Sequence, residues 1–301
     1  MTSDTITAQA AGTWTLGDLP VSRIGLGAMR LTGSAAFHLG TPSDRKRSIA
    51  VLHKAVDIGV NHIDTAAFYF SSLRSANELI NSALSPYPDD LVIATKVGPH
   101  REYGGGWATS ARPDQLRGHV EENLRQLGRD HLDVVYLRRM RQDSIAEHFG
   151  ALAELRTAGL IRHLGISAVE PRHLAEAQAI APVVCVQNPY GIAFADSATD
   201  ELLRLCGEQG IAFVPFYAVA GDGREQGAGD SHEDEVLAVA RAHGVSPAQV
   251  RIAWTLQQGP HVLAIPGTGN PDHLVQNVSA GALRLTEEEL ACLNAFRAKA
   301  T

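Results

Sequence analysis

The sequence places an acid, a phenol and two cations at or near the ends of predicted β-strands. Asp64 ends the stretch "NHID", Lys96 ends "LVIATK", and Arg138 follows the apolar "DVVYL". A phenol has an ordinary pKa of about 10, and a neighbouring ammonium can lower that pKa by about 1 to 3 units. Lys96 could do this for Tyr69, while Asp64 keeps the buried ammonium paired. The trio Asp64, Tyr69 and Lys96 therefore predicts a tyrosine that acts as a proton donor.

Arg138 brings a different chemistry to the same set. Its guanidinium stays protonated and presents several N–H donors in a planar fork. It can polarise a carbonyl or hold an anionic oxygen, but it cannot act as a base. A structural salt bridge that faces away from substrate is the alternative for Arg138, and a core ion pair or a packed tyrosine is the alternative for each other residue taken singly. Arg139, the next residue, is expected to be structural or solvated.

These side chains need a scaffold that brings several strand ends together. Short β-branched runs alternate with amphipathic segments of about 10 to 17 residues, which is the pattern of repeated βα units. Strands are predicted at residues 24–26, 62–64, 91–96, 134–137, 161–167, 183–187, 212–216 and 262–265. Helices are predicted to start at Asp44, Ser75, Pro113, Ser144, Pro171, Asp200, Ser246 and Pro271. Eight such units favour an α/β fold, a single (β/α)8 TIM barrel whose site lies at the C-terminal ends of the strands.

Further segments complete the predicted domain. "TWTLGDLPVS" predicts an N-terminal β-hairpin, and residues 233–243 and 286–297 predict two extra helices. Residues 1–12 are expected to form a flexible tail and residues 13–301 the barrel domain. A doubly wound sheet is the main rival, but "GLGAMR", "GDGREQG" and "GTGNPD" all lack the third glycine of the dinucleotide fingerprint at the right spacing.

Composition limits the classes of function. The net charge is -7 and the arginines are scattered, so we expect no nucleic-acid partner. The three cysteines form no CxxC, which argues against a zinc ribbon or a redox pair, and no metal is expected. No basic start with an apolar run and no stretch of about 18 apolar residues is present. We expect a cytoplasmic protein without membrane contact; the oligomeric state is left open.

Several motifs together resemble those of the aldo-keto reductase superfamily. They are "RIGLGAMRLTG", "GVNHIDTAAFY", "LVIATKVG", "IRHLGIS", "VQNPY" and "AIPGTGNPDHLVQN", and the resemblance covers roughly residues 13 to 297. It implies an NAD(P)H-dependent reductase in which hydride passes from nicotinamide to an aldehyde or ketone while Tyr69 acts as general acid. The family usually has His where Arg138 stands. This replacement is most similar to the bacterial branch that includes pyridoxal reductases, so pyridoxal is the first expected substrate.

The resemblance also implies a cofactor site. Ser167 and Gln187 match residues that hold the nicotinamide amide, and Phe216 matches an aromatic that stacks on its ring. Ala168 stands where the family has Asn, and Asn188 is considered as a replacement. NADPH is expected, with NADH possible. The further residues assigned to the cofactor are Gly27, Met29, Arg30, Gly267, Thr268, Asn270, His273, Gln276 and Asn277.

The substrate pocket is less well defined by the sequence. Phe68, Tyr103 and Trp107 could form an aromatic wall, although Tyr103 and Trp107 could equally anchor their own loop. The glycine-rich stretch 220–234 is either a flexible surface loop or a cover over the pyrophosphate. Two other functions stay open: reduction of C=C or C=N on the same scaffold, and a non-catalytic NADP-binding redox sensor or accessory subunit. The intact catalytic trio argues against the sensor.

Overall fold

The structure is a computed structural model that describes residues 6–34, 39–102, 104–108, 110–219 and 234–299. An antiparallel hairpin is followed by seven parallel strands that form one curled sheet in chain order. The hairpin consists of β1 (Thr13–Leu16) and β2 (Leu19–Ser22). The sheet consists of β3 (Leu26–Gly27), β4 (His62–Asp64), β5 (Val92–Val97), β6 (Leu132–Arg138), β7 (Ile161–Ser167), β8 (Val183–Gln187) and β9 (Ala212–Phe213).

The segment predicted as the eighth strand closes the sheet into a barrel. Isolated parallel bridges join Val262 to Phe213 of β9 and Ala264 to Ile24, just before β3. Backbone hydrogen bonds run on both sides of the segment. Leu263 N donates to Phe213 O at 2.9 Å, and Ala264 N donates to Arg23 O at 2.8 Å. The barrel prediction is confirmed, although residues 262–265 contribute bridges rather than a regular strand.

The seam where residues 262–265 meet β3 brings two backbones close together, and this close approach depends on Gly27. A Cβ at Gly27 would lie 2.6 Å from the carbonyl oxygen of Ile265, a separation that carbon and oxygen do not tolerate. Glycine is therefore required where β3 meets the closing segment. Because the seam forms part of the cavity wall described below, barrel closure and the shape of the site depend on the same residue.

Ten helices flank the barrel within the described ranges, and both extra helices are present. Most predicted starts agree with capped helix ends: Asp44 Oδ1 accepts from Arg47 N at 2.8 Å, and Ser246 caps a helix with Pro at its first turn. One start was predicted three residues late, because Asp196 rather than Asp200 caps that helix. The helices are α1 (Arg45–Asp57), α2 (Ala76–Leu84), α3 (Leu116–Leu127), α4 (Ala146–Thr157), α5 (Pro171–Gln178), α6 (Ser197–Gln209), α7 (Asp234–His243), α8 (Pro247–Leu256), α9 (Pro271–Ser279) and α10 (Glu287–Lys299).

The hairpin seals the end of the barrel where the strands begin. Leu16 and Val21 pack with the inward-facing side chains of the strands, Tyr136 among them, and Asp18 of the hairpin turn bonds Arg162 near the start of β7. With the N-terminal end filled by apolar side chains, the open mouth lies at the C-terminal ends, where the predicted site residues are.

The beginning of the described chain corrects one prediction. Within the segment expected to be a flexible tail, Ala8–Ala11 forms a 3-10 helix whose Ala8 and Ala11 are buried. Ala8 N also donates to Ile58 O at 2.9 Å. This part is held on the barrel by that bond to the end of α1 and by the close approach of Ala11 to Gly281, where a Cβ would lie 2.8 Å from the Cβ of Ala11. Residues 1–5 lie outside the described residues. No helix in the described ranges is both long and apolar enough to cross a bilayer.

Candidate active site

A buried ion pair forms the base of the site. Lys96, on β5, donates from Nζ to Asp64 Oδ1 at 2.5 Å and to Thr65 O at 3.0 Å. Gln187, on β8, donates from Nε2 to the other carboxylate oxygen at 2.8 Å. The side chains of Lys96 and Asp64 are only 4% and 5% exposed. Both oxygens of the acid are thus engaged, and the ammonium is fixed at the end of its strand.

The surroundings of Lys96 make its ammonium easier to deprotonate. Burial lowers the pKa of Lys96, Asp64 acts against this, and the positive charge of Arg138 lowers that pKa further. Lys96 Nζ lies 4.9 Å from the centroid of the Tyr69 ring. The predicted trio is therefore brought together in space, with a cation beside the phenol.

Tyr69 is held in a turn between β4 and α2. Its backbone N–H donates to Ala66 O at 3.0 Å, and its carbonyl accepts from Ala76 N at 2.9 Å, where α2 begins. Its ring meets Phe68 edge to face at 5.2 Å, and the side chain is mostly buried but lines the cavity. The sequence separation between Asp64 and Tyr69 thus corresponds to the turn that returns the phenol over the barrel mouth.

Arg138 faces the cavity at the end of β6. Its Nη1 donates to Ser167 Oγ at 3.2 Å, and its guanidinium carbon lies 4.8 Å above the ring centroid of Phe216. Arg139 differs, as predicted: it pairs with Glu170 at 3.1 Å and donates to a loop carbonyl. Of the two successive arginines, one lines the site and the other fastens the loop to a neighbouring acid.

The cavity at the barrel mouth has a volume of about 420 Å³. Twelve predicted site residues line it: Gly27, Met29, Arg30, Asp64, Phe68, Tyr69, Lys96, Trp107, Arg138, Gln187, Phe216 and Gly267. Sequence reasoning missed a second group on the same wall: Met140, Pro215, Tyr217, Ala218, Val219, Ile265 and Pro266. Their signal was position, because each lies at or just after the end of a barrel strand or of the closing segment.

Other predicted residues lie next to this wall. Thr268 accepts from Asn270 N at 3.0 Å, and Asn270 caps α9 by accepting from Asp272 N at 3.0 Å. The remaining predicted residues on α9 are His273 and Gln276, which are exposed, and Asn277, which is buried. They follow the cavity residue Gly267 directly, at a helix N-terminus that favours anions.

The structure does not place three other predicted features in the site: Asn188, Tyr103 and the glycine-rich stretch. Asn188 is engaged elsewhere: it donates to Val169 O at 2.8 Å and accepts from Val169 N at 3.0 Å, so it pins the backbone after β7 instead of replacing the amide absent at Ala168. Tyr103 and the stretch 220–233 lie outside the described residues.

The residues of the cavity fit a nicotinamide dinucleotide. Phe216 offers a flat ring, and the Gln187 carbonyl stays available as an acceptor because its amide nitrogen donates to Asp64. A Cβ at Gly267 would lie 3.0 Å from Gly27 O, tighter than most real Cβ contacts, so glycine gives this edge of the cavity a surface of backbone alone. A ring platform, an amide acceptor and a side-chain-free floor leading to a helix N-terminus are what such a ligand needs.

Comparisons with known proteins agree with this geometry. Residues 23–298 match the family model described as Aldo/keto reductase family. Pyridoxine 4-dehydrogenase of Escherichia coli (strain K12) is 42% identical over 292 residues, which cover 95% of this chain and 98% of that protein. A thermostable aldo-keto reductase solved with the inhibitor epalrestat is 29% identical, with a TM-score of 0.77 over 93% of this chain and 97% of that chain. An aldo/keto reductase from Klebsiella pneumoniae in complex with NADP and acetate is 27% identical, with a TM-score of 0.73 over 92% of this chain and 91% of that chain.

Proposed function

Because the chain belongs to the aldo/keto reductase family, we propose that it reduces pyridoxal or a closely related aromatic aldehyde to the alcohol with NADPH. The observation that carries the proposal is Arg138, which faces the cavity beside the Lys96–Asp64 pair. The similarity to the Escherichia coli pyridoxine 4-dehydrogenase supports the choice of substrate, and the NADP complex of the Klebsiella pneumoniae relative supports the choice of cofactor.

The residues of the site divide the work of carbonyl reduction. Bound NADPH supplies the hydride that reaches the carbonyl carbon. Tyr69 gives its phenolic proton to the carbonyl oxygen as negative charge develops there, and Lys96 stabilises the phenolate that remains. Asp64 keeps the ammonium in place in a buried site where an unpaired charge would be costly. Water then returns the proton to Tyr69, so that each turnover adds one hydride and one proton.

The charge balance of the cavity favours an anionic substrate. Its wall carries the cations Arg30, Lys96 and Arg138 and one acid, Asp64. Both oxygens of that acid are engaged by Lys96 and Gln187. Pyridoxal carries an acidic ring hydroxyl next to its aldehyde, and the planar fork of Arg138 can bind the resulting oxygen anion together with the carbonyl oxygen. A neutral aldehyde would use only part of this arrangement.

The cofactor residues are proposed on the same basis. Phe216 stacks on the nicotinamide ring, and Gln187 and Ser167 hold its amide. The hydroxyl of Ser167 also accepts from Arg138. Met29 and Arg30 lie on the cavity wall, and the group from Thr268 to Asn277 surrounds the start of α9. The phosphates are assigned to that helix N-terminus.

The test is turnover by purified protein with NADPH and a set of aldehydes. Pyridoxal should be reduced faster than its 3-O-methyl ether, which lacks the acidic hydroxyl, and mass and NMR analysis of the product should show an alcohol rather than a reduced C=C or C=N. Tyr69→Phe should lower kcat by about a hundredfold or more with little change in NADPH binding. Tyr87→Phe is the matched control. It removes the same phenolic hydroxyl, but from a residue outside the cavity whose hydroxyl donates to Leu127 O.

Two results would contradict the proposal in different ways. Tight NADPH binding without turnover of any carbonyl, unaffected by Tyr69→Phe, would indicate a redox sensor or an accessory subunit. Turnover that survives Tyr69→Phe unchanged would leave the enzyme class intact but remove Tyr69 as the proton donor.

A further inference from the structure

A buried arginine outside the predicted site holds the backbone on both sides of Tyr69. Arg101 lies in the loop after β5 and is only 4% exposed. Its Nη1 donates to Phe68 O at 3.0 Å and to Phe70 O at 2.9 Å. These two carbonyls belong to the residues before and after Tyr69. One guanidinium nitrogen thus bridges the peptide groups that flank the proposed proton donor.

The same side chain fastens its own loop. Arg101 Nε donates to Gly105 O at 3.1 Å, and a backbone bridge pairs Arg101 with Trp107. The guanidinium carbon lies 4.2 Å from the ring centroid of Phe70. Trp107 in turn packs edge to face on Phe68 at 5.7 Å between ring centroids. The loop with the aromatic wall and the turn with Tyr69 are therefore connected through one residue.

The contacts of the turn explain why this connection matters. The N–H and C=O of Tyr69 itself are satisfied by Ala66 and Ala76, which fixes the peptide but leaves the carbonyls of its two neighbours to be paired by Arg101. Charge-assisted bonds of this kind are stronger than neutral ones. A lysine ammonium on its flexible stem would not hold two carbonyls of the turn and a third from the loop of residue 101, whereas the planar guanidinium fork can.

We propose that Arg101 is a positioning residue: it sets the orientation of Tyr69 for proton donation and holds the aromatic wall of Phe68 and Trp107 in place at the same time. This inference rests on the proposed role of Tyr69. A displacement of about 1 Å at a reacting group can cost up to about a hundredfold in rate. Because the aromatic wall and the proton donor Tyr69 are held by one side chain, loss of Arg101 should also weaken the preference for flat aromatic aldehydes over aliphatic ones.

The experiment compares Arg101→Met and Arg101→Lys with the control Arg112→Met. Arg112 belongs to the same connecting region but pairs with Asp114 on the surface, where both side chains are about two-thirds exposed. We expect Arg101→Met to lower kcat for pyridoxal by about tenfold to a hundredfold, with NADPH affinity unchanged. The solvent deuterium isotope effect on kcat should rise, because proton transfer from a misplaced Tyr69 limits the rate. Arg112→Met should match the unmodified protein in each quantity.

A merely structural role would give another pattern. It would lower the melting temperature and the folded fraction but leave the isotope effect, the KM and the aldehyde preference of the folded enzyme unchanged, and that result would overturn the inference. Should Arg101→Met fail to fold, Arg101→Lys decides: a reduced kcat with a raised isotope effect supports the inference, and unaltered kinetics overturn it.

A double-mutant cycle separates this inference from the proposed function. If Arg101 acts through Tyr69, Arg101→Met should have little further effect on the residual rate of Tyr69→Phe. A full additional loss in that background would overturn the positioning role. If Tyr69→Phe alone has no effect, it is the proposed proton donor that is wrong; if Tyr69→Phe is inactive and Arg101→Met is normal, only the inference on Arg101 is wrong.

Discussion

Replacing Arg138 by methionine should lower kcat/KM for pyridoxal by about tenfold to more than a hundredfold. The estimate follows from the loss of one charge-assisted hydrogen bond, which is worth about 1.5 to 3 kcal/mol. Methionine has a similar length and can keep the packing on Phe216, whose ring centroid lies 4.8 Å from the guanidinium carbon. The bond from Arg138 to Ser167 Oγ is also lost, but at 3.2 Å it is long for a charge-assisted bond and its loss is smaller. NADPH affinity should therefore change little.

The same substitution has a second consequence with a defined sign. The charge of Arg138 lowers the pKa of Lys96, so its removal should raise that pKa. If activity requires the Lys96 ammonium, the loss of activity at high pH should move to higher pH in Arg138→Met. Rate–pH profiles of kcat/KM for both proteins measure this directly. A shift in the opposite direction, or none, would contradict the electrostatic coupling between the two cations.

Arg138→His separates substrate recognition from general catalysis. The resemblance to the family implies histidine at this place, so the variant should keep activity on neutral aldehydes and lose preference for those with an acidic ring hydroxyl. The assay is the ratio of kcat/KM for pyridoxal and its 3-O-methyl ether in the unmodified protein and both variants. If Arg138→Met leaves every kcat/KM unchanged and only lowers the melting temperature, Arg138 is structural and the account of substrate choice is wrong.

Two further predictions concern residues around the site. Burial lowers the pKa of His62 from 6.5 to about 4, so the folded state favours the neutral ring. The free energy of unfolding that this preference contributes is fully present above about pH 6.5. It falls by about 2 to 3 kcal/mol as the pH drops toward 4, because the unfolded chain then binds a proton that the folded state does not. Urea unfolding at pH 7 and pH 4.5 should show this loss in the unmodified protein and a smaller one in His62→Leu; equal losses would contradict it. Ala168 adopts a left-handed φ of 58°, which Asn tolerates better than Ala. Ala168→Asn should therefore keep the melting temperature and tighten NADPH binding about twofold to tenfold through one added hydrogen bond, as measured by fluorescence titration; an unchanged Kd would show that residue 168 does not reach the cofactor.

Local physical rules explain the part of the fold that could be predicted. Helix starts such as Asp44 and Ser246 were recognisable because capping depends on residues within one turn of the chain. Strand positions followed from apolar runs of the right length, and the hairpin from its Gly17-Asp18 turn. The segment 262–265 was predicted as a full strand but forms only bridges, since how far two backbones pair depends on the curvature of the closed barrel. The tail prediction failed at Ala8–Ala11 because the bond from Ala8 N to Ile58 O joins this segment to a distant part of the chain, which local sequence does not show.

For the candidate site, the sequence by itself determined which chemistry is present, and the tertiary structure decided which groups meet. Asp64 and Lys96 were recognisable because residues at the ends of parallel strands must converge at one edge, and Tyr69 was recognised from the motif "GVNHIDTAAFY", which resembles that of the aldo-keto reductases. The sequence predicted that Arg138 serves the site and that Arg139 is structural or solvated, but only the structure shows that Arg139 pairs with Glu170, because that contact depends on how two separate loops pack. The bonds from Arg101 to the carbonyls beside Tyr69 were also hidden, because backbone carbonyls are the same in every sequence and only packing shows which side chain reaches them.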